Sequence, residues 1–238
     1  MTFKEESYLK IESLLPSDEI HIWSLHKPSY EKEINYFLSI LSEDERQKSR
    51  NFKFPEDQKS FIISRGILRC LLRKYLEHDP QDIEIIYGLW GKPYLVENPL
   101  YFNLSHSKDH VLYALTNHYE VGVDIEYINE AFDSEDMVLN LLSPQELGYW
   151  KSISPEKKSN LFFKLWACKE AFLKASGKGW FDDGQKPPLG ILEILKSDNK
   201  IYETTEKMRT PYCFESIPGY ASALFIEGPF LQLKYFIW

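Results

Sequence analysis

The sequence predicts an α+β fold arranged as two similar α+β lobes with a ligand site at their interface. Two observations predict it. Each half of the 238-residue chain carries one long helical pattern, and each sets short, mostly hairpin-connected strand candidates beside it. The lobes are expected at residues 1–118 and 119–238, and a crevice between two lobes is a natural place for a ligand.

In the first half, a strand is predicted from Glu19 to Leu25, with His21, Trp23 and Leu25 on one face and Ile20 and Ile22 on the other. A helix is expected from Ser29 to Leu41. A longer one follows Pro55 and runs to about His78, with Phe61, Leu68, Leu71, Leu72 and Tyr75 at helical spacing. Short strands are predicted at Ile83 to Tyr87, Tyr101 to Ser105, Val111 to Thr116 and Val121 to Glu126, with Asn117-His118 turning between the last two.

In the second half, helices are predicted at Asp133 to Leu142 and Ser143 to Ser152. Ser143-Pro-Gln-Glu146 has the capping-box form, with proline at the first helical position. A long helix runs from Pro155 to Ser176 and stops at Gly177. Further strands are expected near residues 190–195, 200–204, 211–217, 220–226 and 230–237.

Composition narrows the function. Hydrophobic residues make up 43% of the chain, enough for a core. No apolar run approaches the roughly 20 residues of a membrane helix, and the mixed-charge N-terminus has no apolar signal core, so a cytoplasmic protein with no membrane partner is expected. The net charge of −8 argues against general nucleic-acid binding. Cys70, Cys168 and Cys213 are far apart and odd in number, so neither a zinc site nor a disulfide framework is indicated; Cys70 and Cys168 read as core packing.

Four segments carry candidate chemistry. In Val121-Gly-Val-Asp-Ile-Glu126, strand alternation puts Gly122, Asp124 and Glu126 on one face, with Gly122 leaving room for a ligand. A lone acidic pair of this kind is most simply a solvated strand face; if functional, it would hold a hard cation through oxygen. In Phe162 to Gly177, Glu170 lies on an otherwise apolar helical stripe, where its charge needs a partner, and Lys174 one turn on could be that partner. Lys164 and Lys169 are expected to face solvent. In Phe102-Asn-Leu-Ser-His-Ser107, Ser105 and His106 could donate to phosphate oxygens, although the segment alone reads as a strand entering a turn. Gly91-Lys-Pro93 is a tight turn presenting Lys92. Phosphate-binding loops of the GxxxxGK[ST] type, GxGxxG and HExxH are absent, as is a Gly-x-Ser-x-Gly elbow around Ser105.

In this order, the four segments resemble those of the 4′-phosphopantetheinyl transferases of the surfactin-synthetase-activating type. The resemblance spans roughly residues 42 to 180 and rests on Gly91-Lys-Pro93, Phe102 to Ser107, Val121 to Glu126 and Phe162 to Gly179. Larger members of that family are pseudo-dimers of two lobes, which agrees with the halves read above. The resemblance implies an enzyme that transfers the 4′-phosphopantetheine moiety of coenzyme A to a serine of an apo acyl or peptidyl carrier protein of fatty-acid, polyketide or nonribosomal-peptide synthesis, with release of adenosine 3′,5′-bisphosphate.

By the same resemblance, Asp124, Glu126 and Glu170 are Mg²⁺ ligands. Lys92 and Lys174, with Ser105 and His106, contact the phosphates of coenzyme A, and Lys48 and Arg65 meet its 3′-phosphate; Arg46, Arg50 and Lys59 are weaker choices there. Glu170 is the expected base toward the carrier serine, and Lys174 stabilises developing phosphate charge. A monomer is expected, docking its carrier through apolar residues such as Leu141 and Leu142. A binding module without turnover and a Mg²⁺-dependent pyrophosphate hydrolase are the alternatives.

Overall fold

The computed structural model describes residues 15–96, 100–132, 134–177, 211–228 and 231–238. The strands expected near 190–195 and 200–204, and the end of the fourth segment at Gly179, lie outside them. The chain divides into two compact units, one containing residues 30–83 and the other residues 17–29 with 84–238.

The first unit is helical: α1 (Ile34–Ile40), α2 (Glu43–Arg50) and α3 (Pro55–Leu76). Helix α2 was not expected from the sequence, although its start is written there. The Ser42 hydroxyl accepts from the Glu45 N–H and the Glu45 carboxylate accepts from the Ser42 N–H, a full capping box. Helices α1 and α3 meet where Gly66 has no side chain, since a Cβ there would stand 2.5 Å from Phe37 Cβ. Buried Arg69 ties the unit together. Its Nε donates to Glu45 Oε2 at 2.5 Å, and its Nη1 donates to the carbonyls of Pro80 and Ile83. A buried guanidinium with this set of acceptors is compensated in charge and hydrogen bonding.

The second unit holds the strands β1 (Glu19–His26), β2 (Ile85–Tyr87), β3 (Pro93–Leu95), β4 (Leu100–Ser107), β5 (His110–Asn117), β6 (Val121–Tyr127), β7 (Tyr212–Phe214), β8 (Tyr220–Ile226) and β9 (Gln232–Ile237). It also holds the helices α4 (Glu135–Leu141), α5 (Pro144–Ser152) and α6 (Pro155–Ser176). Strands β2 and β3 form a hairpin around the Gly91 turn, so the Gly-Lys-Pro segment leads into a strand rather than ending as a bare turn.

One sheet runs β4-β5-β1-β9 and another β6-β8-β7. Strand β9 lies parallel to β1, so the end of the chain completes the sheet begun at Glu19. Val121, Val123 and Ile125 of β6 pack with Ile20, Ile22, Leu112 and Ala114 in one core. The opposite face of β8, with Ala221, Ala223 and Phe225, packs with Leu165, Ala167, Cys168 and Ala171 of α6. The three-stranded sheet therefore separates two cores, and β6 turns its acidic face toward α6.

Two expectations for side chains on the helices are overturned. Lys169 is only 1% exposed: its ammonium donates to Glu146 Oε2 at 2.7 Å and to the Leu141 carbonyl at 2.8 Å. Glu146 also closes the α5 capping box, so one carboxylate serves a cap and a buried ion pair. Lys164 is half-buried. Leu141 and Leu142, expected to meet a carrier, belong to the core. Exposed Met137 and Leu139 are the apolar side chains α4 leaves at the surface.

Candidate active site

The site is organised by the edges of the two sheets. Strand β4 is an edge of one and β6 an edge of the other, so β6 has outward backbone N–H groups without a strand partner. Polar side chains of β4 fill that role at two places. Asn103 Oδ1 accepts from the Val123 N–H at 2.9 Å, and Ser107 Oγ accepts from the Tyr127 N–H at 3.0 Å. Ser107 also donates to Glu126 Oε2 at 3.1 Å, and Ser105 donates to Asp124 Oδ1 at 2.7 Å. Three alternate positions of Asn103 to Ser107 thus reach β6 and its two carboxylates. Asn103 and Ser107 had drawn no site role from the sequence; their two-residue period with Ser105 was the available signal.

Helix α6 covers the same face. A Cβ on Gly122 would stand 2.0 Å from the Ala171 carbonyl oxygen and 2.4 Å from the Ala175 nitrogen. The space expected to admit a ligand is taken by helix backbone, and the glycine serves close strand–helix contact. That contact brings Lys174 to the strand: its Nζ lies 2.5 Å from Asp124 Oδ1 and donates to Ser105 Oγ at 2.9 Å. The cation available to Glu170 by helical spacing is thus engaged across the interface with Asp124. Helix α6 ends at Gly177 with φ 66°, and Lys92 reaches the same end, donating to Ala175 O at 2.8 Å, Val121 O at 3.3 Å and Glu120 Oε2. An ammonium there also faces the negative end of the helix dipole.

Asp124 is 2% exposed, and its Oδ2 is buried with no hydrogen-bond partner among the described residues. Burial pushes its carboxyl above the ordinary carboxylate range; Lys174 and Ser105 pull the other way, and the charge of Glu170 adds to the rise. Burial, followed by the charge of Asp124, pushes Glu126 up to about 7, opposed by Ser107 and Lys174 and reinforced by Glu170. The three acidic side chains from two distant segments therefore act on one another electrostatically.

Among the described residues, no three His, Cys, Asp or Glu side chains converge as a metal-holding group, and Lys174 supplies the positive charge at Asp124. The donor chemistry nevertheless fits a hard divalent ion. All the candidate donors are carboxylate oxygens, and one of them is buried with no hydrogen-bond partner among the described residues.

The other expected phosphate contacts are placed differently. His106 is exposed, and strand alternation puts it on the face of β4 opposite Ser105. Lys48 and Arg65 belong to the helical unit, where both cations lie over the Phe61 ring, at 5.6 Å and 5.8 Å from its centroid. Arg65 Nε is 3.5 Å from Glu45 Oε1. Arg46 and Arg50 pair with Glu43, and Lys59 with Glu56.

A buried acid, an ammonium and a hydroxyl are thus gathered on one acidic strand face. Residues 120–224 match the 4′-phosphopantetheinyl transferase superfamily, and residues 24–118 match the 4′-phosphopantetheinyl transferase N-terminal family. The 4′-phosphopantetheinyl transferase HetI of Nostoc sp. is 37% identical over 169 residues, covering 69% of this chain and 71% of its own. Sfp of Bacillus subtilis, also named a 4′-phosphopantetheinyl transferase, is 28% identical over 210 residues, covering 86% and 90%. The chain belongs to the 4′-phosphopantetheinyl transferase family, as the four sequence segments implied.

Proposed function

We propose that the protein transfers the 4′-phosphopantetheine moiety of coenzyme A to a serine hydroxyl of an acyl or peptidyl carrier protein, in a Mg²⁺-dependent reaction that releases adenosine 3′,5′-bisphosphate. The observation that carries this reading is the Lys174–Asp124–Ser105 cluster, which joins the acidic strand to the Glu170 helix beside an unsatisfied carboxylate oxygen.

Asp124, Glu126 and Glu170 would hold Mg²⁺, which when bound supplies positive charge against the diphosphate. Lys174 offers an ammonium to the phosphate oxygens, stabilising charge on the transferring and leaving groups, with Ser105 as a neutral donor. Lys92 and His106 extend the phosphate contacts, while Lys48 and Arg65 meet the 3′-phosphate; the resemblance of their segments to the family's is what supports these four assignments. Glu170 takes the proton of the carrier serine, directly or through water, as the serine oxygen attacks the β-phosphorus. The two family matches meet between residues 118 and 120, which supports lobes at 1–118 and 119–238; a ligand site between them is our reading. We read the protein as a cytoplasmic monomer.

The test mixes the purified chain with an apo carrier protein, coenzyme A and Mg²⁺ and follows the carrier by intact mass. Addition of the phosphopantetheine arm, lost in Asp124→Ala, is expected. Free bisphosphate with an unmodified carrier would instead identify a hydrolase, and binding of coenzyme A without either product a non-catalytic module. Glu170→Gln with full turnover and an unchanged pH profile would remove the base role alone.

A further inference from the structure

Cys168 on α6 and Cys213 on β7 are both free, both buried, and turned toward each other, with their Sγ atoms 2.6 Å apart. A disulfide has its sulfurs at about 2.05 Å, so this pair stands within a short approach of a bond. Spacing in the sequence gave no sign of it, because the partners are separated by 45 positions. The third thiol, Cys70, lies on α3 in the helical unit.

Access comes from one side. Cys213 lines an open cavity of about 410 Å³, whose wall also includes Asn160, Lys164, Ser216 and Ser222. The cavity, lined by polar and apolar groups alike, gives a small oxidant a way to Cys213, whereas Cys168 has no exposure at all.

The position of the pair gives it consequence. Cys213 is opposite Ala223, and Ala223 is opposite Asp124, so the three form one row across the sheet beneath α6. A bond from Cys168 to Cys213 would fasten the helix bearing Glu170 and Lys174 to the row containing Asp124.

We propose that Cys168 and Cys213 are a peroxide-sensitive modification site that closes to an intrachain disulfide. The Cys213 sulfur attacks one oxygen of hydrogen peroxide and breaks the O–O bond; the thiol proton passes to the other oxygen, which leaves as water. Cys213 is then a sulfenic acid. Cys168 attacks that sulfur, and the hydroxyl departs with the Cys168 proton as a second water. Two thiols are oxidised by two electrons and one peroxide is reduced to two waters.

The experiment treats the full-length reduced protein with hydrogen peroxide, removes the oxidant, denatures, alkylates with iodoacetamide, and reads intact mass and peptide map without reduction. The expected product has a Cys168–Cys213 cross-linked peptide, a single alkylated cysteine at Cys70, and full reversal by dithiothreitol. Its Tm rises by on the order of 5 °C over the reduced protein, because the bond closes a long loop. Cys168→Ser must abolish the cross-link and leave Cys213 oxidised singly. Three alkylated cysteines after treatment, sulfinic acid at Cys213 without a cross-link, or a disulfide to Cys70 would each overturn the proposal. The wild-type peptide map decides the matter even where a serine variant fails to fold.

Discussion

Asn103 accepts the backbone N–H of Val123 at 2.9 Å, and through this bond the edge of one sheet sets the register of another. The same register delivers Ser105 to Asp124 and Ser107 to Glu126. Asn103→Ala would leave the Val123 N–H buried without an acceptor, which costs about 1–3 kcal/mol. Urea denaturation should show that loss, with transfer activity falling alongside it; unchanged stability would mean that β6 keeps its position without Asn103.

Gly122→Ala tests the approach of α6 to β6. The added methyl would meet helix backbone, which cannot rotate aside, so the helix must move. We expect a stability loss of about 2–4 kcal/mol, and activity reduced further than the unfolded fraction explains. A soluble Gly122→Ala enzyme with native Tm and turnover would contradict the packing described.

Removing the ammonium at Asp124 should make the site depend on added cation. Lys174→Met leaves a carboxylate that is 2% exposed with Ser105 as its remaining described donor, a loss of about 2–4 kcal/mol. Mg²⁺ should then raise the variant's Tm by more than it raises the wild type's. Equal shifts in both proteins would argue against Asp124 as a metal ligand.

Glu126 gives a pH dependence with a defined sign. Its folded-state pKa of about 7 stands above the ordinary 4.5. Between those values the folded chain keeps a proton that the unfolded chain has lost, so stability falls as pH rises through the window and the cost is complete above about 7. In chelator, the wild type should therefore lose stability relative to Glu126→Gln from pH 4.5 to 7. A difference that is flat over that range would place Glu126 in ordinary solvent.

The Lys169–Glu146 pair predicts non-additivity. Lys169→Met strands a buried carboxylate and should cost about 3–5 kcal/mol. Glu146→Gln in the same chain keeps an acceptor for the Ser143 cap while removing the stranded charge, so the double variant should be more stable than Lys169→Met alone. A double variant whose losses simply add would show that the two charges do not interact.

The amino-acid sequence alone determined the long helices, since Pro55, Pro155 and Gly177 mark ends that local backbone chemistry enforces. It also determined that Asp124 and Glu126 share a strand face and that the ordered segments belong to one transferase family, because alternation and motif spacing are properties of the chain itself. Helix α2 is written just as locally, in the Ser42–Glu45 capping box, but it lacks the apolar periodicity that marks the longer helices. Only the tertiary structure decided which partner each charge takes. Lys174 goes to Asp124, Lys169 goes inward to Glu146, Gly122 admits a helix, and Cys168 meets Cys213. Each of these depends on two segments remote in the chain being pressed together, and the cost of burying a charge or a polar group is settled by what stands across that contact.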